Sequence, residues 1–136
     1  MDAPPERSIT AMMLAVFHDI VSFLVEKGGN LKAKDVDGWT ALVYAASSGH
    51  IQTAELLIKA GAEINSIDSI GWTPLMHAVD SKKSEMVRFL AKNGANVNTE
   101  DKEGLTALML AAGEGSSEII ELLIESGAKV NVKDHK

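Results

Sequence analysis

The sequence contains no cysteine, and aromatic side chains make up only 4% of its 136 residues. Without cysteine the chain cannot form disulfides, thiolate nucleophiles or cysteine-ligated metal sites, and we expect a reducing compartment, the cytoplasm or nucleus. A basic excess is also lacking, since the formal net charge is -6 at pH 7. Nucleic-acid binding is therefore disfavoured, because it requires clustered lysine and arginine, and we expect protein partners, basic ones among them.

An apolar run long enough to cross a membrane is also missing. The longest candidate, residues 11–25, is interrupted near its middle by His18 and Asp19. A secretory signal would need a small-residue cleavage site after the apolar run, whereas Glu26 and Lys27 follow it here. We interpret this stretch as a packed helix and expect no membrane association.

Residue groups that would support catalysis are absent from the sequence. The histidines are scattered, with no second histidine or carboxylate at metal-ligand spacing. No serine lies in a nucleophile elbow, and the glycines recur singly instead of forming a phosphate-binding loop. We therefore expect no enzyme activity, no cofactor and no metal, and we interpret His77 as a helix-packing histidine.

The dominant feature of the sequence is a repeat with a period of 33 residues. A fixed period of this length is typical of a solenoid in which similar units stack in a line, so residues one period apart are expected to be neighbours in space. Identical residues recur at this spacing: Asp35, Asp68, Asp101 and Asp134; Gly38, Gly71 and Gly104; Thr40, Thr73 and Thr106; Leu57, Leu90 and Leu123; Gly61, Gly94 and Gly127; Asn65, Asn98 and Asn131.

Each unit is predicted to hold two helices and a loop. A threonine such as Thr73 can cap a helix, and Pro74 suits the first helical position. A second helical stretch follows at residues 51–60, 84–93 and 117–126, and each is stopped by a glycine. Polar segments that end in a glycine connect the units, and they predict tight hairpin loops.

Residues 73–79, TPLMHAV, resemble the T-P-L-H-x-A signature of ankyrin repeats, and spacing, caps and core positions agree with it. The resemblance implies an all-α ankyrin-repeat solenoid of stacked antiparallel helix pairs with hairpin finger loops. We predict a divergent N-terminal capping repeat at residues 1–34 (repeat 1). Three ankyrin repeats follow at residues 35–67, 68–100 and 101–133 (repeats 2, 3 and 4), and the start of a truncated further repeat occupies residues 134–136.

Repeats 2 to 4 depart from the family pattern at two positions. In repeat 3, Lys82 stands where Gly49 and Gly115 stand, and a positive φ there would strain a non-glycine residue and soften this repeat. The signature histidine is also missing, so apolar packing must substitute for its hydrogen bond; its place is taken by Val43, Met76 and Met109.

Two registers compete in repeat 1. The first keeps the period and pairs Gly28 with Gly61, but it places two methionines where alanines are wanted. The second, which we prefer, aligns residues 10–16 with residues 73–79 and lacks about three residues between the helices. Such a shortened turn would allow one fused helix over residues 11–27, whose exposed apolar surface would favour dimerisation or domain swapping. We expect the alternative, a tight turn in a monomer.

The resemblance also implies where a partner would bind. Trp39, Trp72 and Leu105 share a finger-loop position at the edge of the concave face, and tryptophan is enriched in binding hot spots. In the alternative interpretation each indole packs only against the next finger. The other implied partner-binding residues are Val36, Asp37, Ser69, Ile70, Lys102 and Glu103 on the fingers, and Ser47, Ser48, Asp80, Ser81 and Glu114 at the ends of the inner helices.

The function implied by the resemblance is that of a scaffold or adaptor, which binds a partner protein or peptide on its finger loops and concave face. The alternative is a self-associating or engineered repeat scaffold, in which the shortened N-terminal repeat drives dimerisation. In the family the loop asparagines fold the fingers and can be substrates of an asparaginyl hydroxylase, and a leucine precedes each by eight residues here. The hydroxylation candidates are Asn65, Asn98 and Asn131.

Overall fold

The computed structural model describes residues 18–130, with side chains from residue 21 onward. The start of the predicted fused helix at Ala11, the register of residues 10–16, Asn131 and the truncated repeat at residues 134–136 lie outside the described residues. The described part contains seven α-helices and no strand. The helices are α1 (His18–Glu26), α2 (Ala41–Ser48), α3 (Ile51–Lys59), α4 (Pro74–Asp80), α5 (Ser84–Lys92), α6 (Ala107–Glu114) and α7 (Ser117–Glu125).

These helices form two parallel rows. Helices α2, α4 and α6 pack in an inner row, and α1, α3, α5 and α7 pack in an outer row. Each inner helix also packs against the outer helix that follows it, to which it is joined by a turn of two or three residues. The predicted all-α solenoid of stacked helix pairs is confirmed, and α1 occupies the first described place in the outer row.

Threonine caps begin the inner helices, as the sequence predicts. The hydroxyl oxygens of Thr40, Thr73 and Thr106 accept hydrogen bonds from backbone amides three residues on, at 3.2–3.3 Å. An N-cap of this kind satisfies one of the amides that a helix start leaves unpaired and stabilises it by about 1 kcal/mol. The caps therefore set where each inner helix starts in its repeat.

The turn after each inner helix adopts a left-handed backbone. Gly49 and Gly115 have φ values of 76° and 72° in this turn, and Lys82 has a φ of 59° at the equivalent place. Among the residues described, Lys82 is the one non-glycine residue with a positive φ. The predicted backbone strain in repeat 3 therefore has its structural basis here.

The core lies between the two rows of helices. Leu57, Leu90 and Leu123 of the outer row are fully buried, and the alanines that face them from the inner row allow close helix approach. Each buried leucine stabilises the stack by about 1.5–3 kcal/mol. Val43 and Met76, at the position of the missing signature histidine, are 1% exposed, which confirms apolar packing there in repeats 2 and 3.

Aspartates organise the finger loops between the helix pairs. The Oδ1 atom of Asp68 accepts hydrogen bonds from the backbone amides of Ile70 and Trp72 at 3.1 and 2.9 Å, and Asp35 and Asp101 do the same in their own loops. Successive fingers are also bonded to each other: Ser69 N–H donates to the carbonyl of Asp37, and Lys102 N–H donates to that of Ile70. The fingers thus form a continuous, hydrogen-bonded edge along the stack.

Candidate functional site

An aromatic cluster connects the first two fingers to the inner helices. The ring of His77 lies 4.5 Å from that of Trp39 and 5.0 Å from that of Trp72, both in edge-on contact. The ring of Tyr44 lies 4.9 Å from that of Trp39. The two tryptophans, 33 residues apart in sequence, are therefore neighbours through His77, as the stacking of similar repeats predicts.

The cluster is anchored by the second oxygen of each finger aspartate. His77 Nε2 lies 2.7 Å from Asp68 Oδ2, and both side chains are buried, so His77 has the packing role expected of it. The hydroxyl group of Tyr44 donates a hydrogen bond to Asp35 Oδ2. Burial raises the pKa of the Tyr44 phenol, and the hydrogen bond to Asp35 raises it further.

In repeat 4 the equivalent position is Leu110, which has no side-chain donor. There the indole of Trp72 donates from Nε1 to Asp101 Oδ2 at 2.9 Å, across the boundary between two repeats. Trp72 therefore contacts the next finger, as in the alternative interpretation of the tryptophans. The ring contacts of Trp39 are with Tyr44 and His77.

The cluster forms one wall of a groove of about 290 Å³ between the fingers and the inner-helix ends, here called the aromatic groove. Seven of the predicted partner-binding residues line it, together with Asp68 and His77: Asp37, Trp39, Ser47, Ser69, Ile70, Trp72 and Asp80. The other predicted residues lie outside its lining: Val36, Ser48, Ser81, Lys102, Glu103, Leu105 and Glu114.

Exposed apolar side chains extend the groove onto the finger tips. Val36 is 79% exposed and Ile70 is 52% exposed, on the first and second fingers. The third finger instead presents Lys102 and Glu103 to solvent, while Leu105 is half-buried. The apolar surface is thus confined to repeats 2 and 3, and it does not continue along the whole finger edge.

Two polar pairs join neighbouring inner helices at the far side of the groove. The hydroxyls of Ser47 and Ser81 lie 3.1 Å apart. One repeat further along, Asp80 and Glu114 stand at the equivalent positions, with the same offset of 34 residues. Burial raises the pKa of Glu114, and the hydrogen bond and charge of Asp80 raise it further, while Lys82 lowers it. Glu114 Oε1 is buried and has no hydrogen-bond partner among the residues that the structure describes.

A family model described as "Ankyrin repeats (3 copies)" matches residues 2–68 and 65–134. The chain belongs to the ankyrin repeat family. Ankyrin repeats are generally protein–protein interaction modules, and the family is typically non-enzymatic. The match begins at residue 2 and therefore takes in the divergent N-terminal segment that the signature motif alone does not reach.

The loop asparagines of this ankyrin stack bridge successive repeats. Asn65 donates from Nδ2 to the carbonyl of Gly94 at 3.2 Å and accepts at Oδ1 from Asn96 N–H at 2.8 Å. Asn98 makes the same two bonds one repeat further on, to the backbone of Gly127 and Lys129. These two asparagines thus join each loop to the following one, and their side-chain hydrogen bonds run to the next repeat and not within their own loop.

Neither a membrane-spanning helix nor a metal-binding cluster was found in the described part of the ankyrin stack. Over residues 18–130 no helix is both long and apolar enough to cross a bilayer. Within the same range, no three His, Asp or Glu side chains are grouped so that they could hold a metal ion.

Sequence reasoning missed how the polar residues of the site pair with one another. The finger aspartates were visible as a recurring position, but not as acceptors for Tyr44, His77 and Trp72. Asp80 and Glu114 are predicted as separate site residues. They are 34 residues apart, as Ser47 and Ser81 are, and this shared offset indicates that they lie next to each other. The repeat pattern relates equivalent positions to one another, and it does not encode contacts between unlike positions of successive repeats.

Proposed function

We propose that this ankyrin stack is a scaffold or adaptor that binds a partner protein or peptide, without a cofactor and in the cytoplasm or nucleus. The observation that carries the proposal is the aromatic groove, in which two half-buried indoles meet at His77 beside the exposed side chain of Ile70. Tryptophans that offer one face to a pocket are the residues most enriched in binding hot spots. Exposed apolar patches of this kind mark interaction surfaces.

Preorganisation of the fingers supports the same function. Each finger is closed by its own aspartate and bonded to the next finger through the backbone. A surface that is already ordered loses little conformational entropy when a partner binds, so a modest patch can give useful affinity. The acidic balance of the chain favours a basic partner, since complementary charge accelerates association and excludes acidic competitors.

Alanine variants of the groove test this proposal. Peptides selected from a random displayed library on the wild-type chain serve as probes, and their affinities are measured by calorimetry. We expect Trp39→Ala and Ile70→Ala each to weaken binding by about tenfold or more, as is typical of hot-spot truncation. Phe23→Ala is the matched control, because Phe23 is 58% exposed on α1, outside the groove. Unchanged affinity in both groove variants would refute the proposal.

A second candidate function is self-association. Phe23 on α1 is 58% exposed and Ile124 on α7 is 46% exposed, so apolar side chains reach solvent on the first and last described outer helices. A second copy of the chain that covered either residue would bury this surface. Size-exclusion chromatography with light scattering distinguishes the two functions: mass that rises with concentration and falls in Phe23→Ser supports self-association, and a constant monomer mass excludes it.

We also propose that Asn65, Asn98 and Asn131 are candidates for asparaginyl hydroxylation. Asn65 and Asn98 hold their amides in two hydrogen bonds each, so an enzyme would have to open the loop to reach them. Mass spectrometry of the chain from its native cell would reveal one added oxygen on these residues and none on Asn96, which lies outside the repeat position. An unmodified mass at all three asparagines would refute this proposal.

A further inference from the structure

The aromatic groove has an apolar side and an acidic side. Its apolar side is made by Trp39 and Ile70, where the first two fingers meet. Its opposite side ends at Asp80, the last residue of α4, and Glu114, the last residue of α6, follows beyond it. The two acids stand one repeat after Ser47 and Ser81, whose hydroxyls are in contact, so a cationic side chain at Asp80 would also lie near Glu114.

Neither acid has an ion-pair partner within the part of the chain whose side chains are described. The ion pairs within residues 21–130 join Lys32 to Glu63, Lys59 to Glu55, His77 to Asp68 and Arg88 to Glu85, and none of them includes Asp80 or Glu114. Lys82 acts on Glu114 through its charge only, from an exposed position in the strained turn.

Glu114 also carries an unmet hydrogen-bonding demand. Its Oε1 atom is buried and has no donor among the described residues. An acceptor left unpaired inside a protein is unfavourable, so buried polar atoms almost always have partners. Glu114 as a whole is partly exposed, so a rotation of its carboxyl group would bring this oxygen to the guanidinium or ammonium group of a basic side chain, which would also neutralise charge.

The offset of the two sides along the stack sets the minimum length of ligand between them. The apolar contact lies between repeats 2 and 3, and the acidic pair lies between repeats 3 and 4, one repeat further along the stack. Packed helices are separated by about 10 Å. An extended chain advances about 3.3 Å per residue, so one repeat corresponds to about three residues of peptide.

We propose that the groove binds an extended segment of a partner protein in which an aliphatic or aromatic residue lies against Trp39 and Ile70. A lysine or arginine about three to five positions away is held by Asp80 and Glu114. The inference rests on the proposed protein-binding function and adds the chemistry and spacing of the bound segment. Lys82 competes with the incoming cation, so its removal strengthens binding.

The test uses the displayed-peptide selection on the full chain, followed by calorimetry with a selected synthetic peptide. We expect selected peptides to share an apolar residue and a basic residue about three to five positions apart. Asp80→Asn combined with Glu114→Gln should weaken the binding of such a peptide by about threefold to tenfold, because two charge contacts at a partly exposed site are lost. Norleucine in place of the basic residue should have the same effect on the wild type and little effect on the double variant.

A matched control separates this pair from the general acidity of the chain. Glu121→Gln with Glu125→Gln removes the same charge from exposed positions on α7, and it should leave the affinity nearly unchanged. Lys82→Gly should raise the affinity about twofold to threefold, because a competing charge is removed. Circular dichroism at the binding temperature confirms that each variant is folded.

The outcomes separate this inference from the function on which it rests. One outcome is that selected peptides lose affinity for the Trp39→Ala variant but carry no basic residue, or bind the Asp80→Asn, Glu114→Gln variant as well as the wild type. The proposed basic segment is then wrong, and the proposal of protein binding in the groove stands. If Trp39→Ala and Ile70→Ala leave every selected peptide bound, or if no peptide is enriched, both proposals fail.

Discussion

The indole nitrogen of Trp72 donates a 2.9 Å hydrogen bond to Asp101, the first residue of the finger loop in the following repeat. In repeats 2 and 3 the finger aspartate bonds to Tyr44 or His77 of its own repeat. Leu110 cannot do this in repeat 4, so a tryptophan from the previous repeat supplies the donor. Trp72 therefore both links two repeats and lines the aromatic groove.

Removal of this donor should destabilise the stack. Trp72→Phe keeps a ring in contact with His77 but leaves Asp101 Oδ2, on a residue only 9% exposed, without its donor. Hydrogen bonds to a charged acceptor contribute about 1.5–3 kcal/mol, and we expect a loss near the lower value in the free energy of unfolding by urea. Trp39→Phe is the control, since no hydrogen bond of the Trp39 indole is seen within residues 21–130. Equal losses in the two variants would contradict this role of Trp72.

Lys82→Gly should stabilise the protein. Lys82 holds a φ of 59°, which glycine adopts freely and a residue with a Cβ atom does not. We expect the free energy of unfolding to rise by about 1 kcal/mol. The reverse change at the equivalent place, Gly115→Ala, should destabilise by a similar amount, because the added Cβ would meet no atom within 4 Å and only the φ of 72° opposes it. If the Lys82→Gly variant were less stable than the wild type, the backbone at Lys82 would not be strained as described.

Gly71→Ala should destabilise more than Gly61→Ala, although both glycines have a positive φ. A Cβ atom on Gly71 would lie 3.0 Å from Lys102 N and 3.1 Å from Asp101 Cα, which belong to the next finger. A Cβ on Gly61 would meet nothing within 4 Å. We expect about 1 kcal/mol of destabilisation for Gly61→Ala and clearly more for Gly71→Ala, measured by urea unfolding. Similar values would mean that the fingers do not contact each other in this way.

The pKa of Glu114 predicts a dependence of stability on pH. Burial first and Asp80 second raise this pKa above its ordinary value of 4.5, against the opposing charge of Lys82. The folded state therefore binds the proton more tightly, and stability contributed by that proton is present below 4.5 and is lost as the pH rises through the folded pKa.

Glu114→Gln isolates this effect, because the amide stays neutral at every pH. We expect the variant to match the wild type most closely below pH 4.5 and to gain in relative stability as the pH rises toward neutral. Urea unfolding at a series of pH values measures the difference. A wild type that becomes relatively more stable with rising pH would show that the pKa is lowered.

The sequence was sufficient to predict the helix pairs, their caps and the adjacency of Trp39 and Trp72. These features are encoded locally or by the period: a threonine such as Thr73 caps its own helix, and residues one period apart meet because similar units stack. The positive φ of Lys82 was also predictable, since glycine occupies the same position in the neighbouring repeats.

The repeat pattern does not predict contacts between unlike positions of successive repeats. That Trp72 bonds to Asp101, or that Asp80 meets Glu114, depends on side-chain direction and on the small rotation between repeats, and the period encodes neither. The same reason explains why only half of the predicted partner-binding residues line one groove. Family positions mark a face of the stack, whereas the groove depends on which large side chains this chain places there.

A cysteine pair tests most directly that the helix pairs stack in line. The hydroxyl oxygens of Ser47 and Ser81 lie 3.1 Å apart, and the chain has no cysteine to interfere. Ser47→Cys with Ser81→Cys should close a disulfide within one molecule under mild oxidation, visible as a monomer that has lost two hydrogens by mass spectrometry. Ser47→Cys with Ser116→Cys, two repeats apart, should remain reduced or link separate chains. If the first pair fails to close within a monomer, or closes no more readily than the second, the repeats do not stack as described.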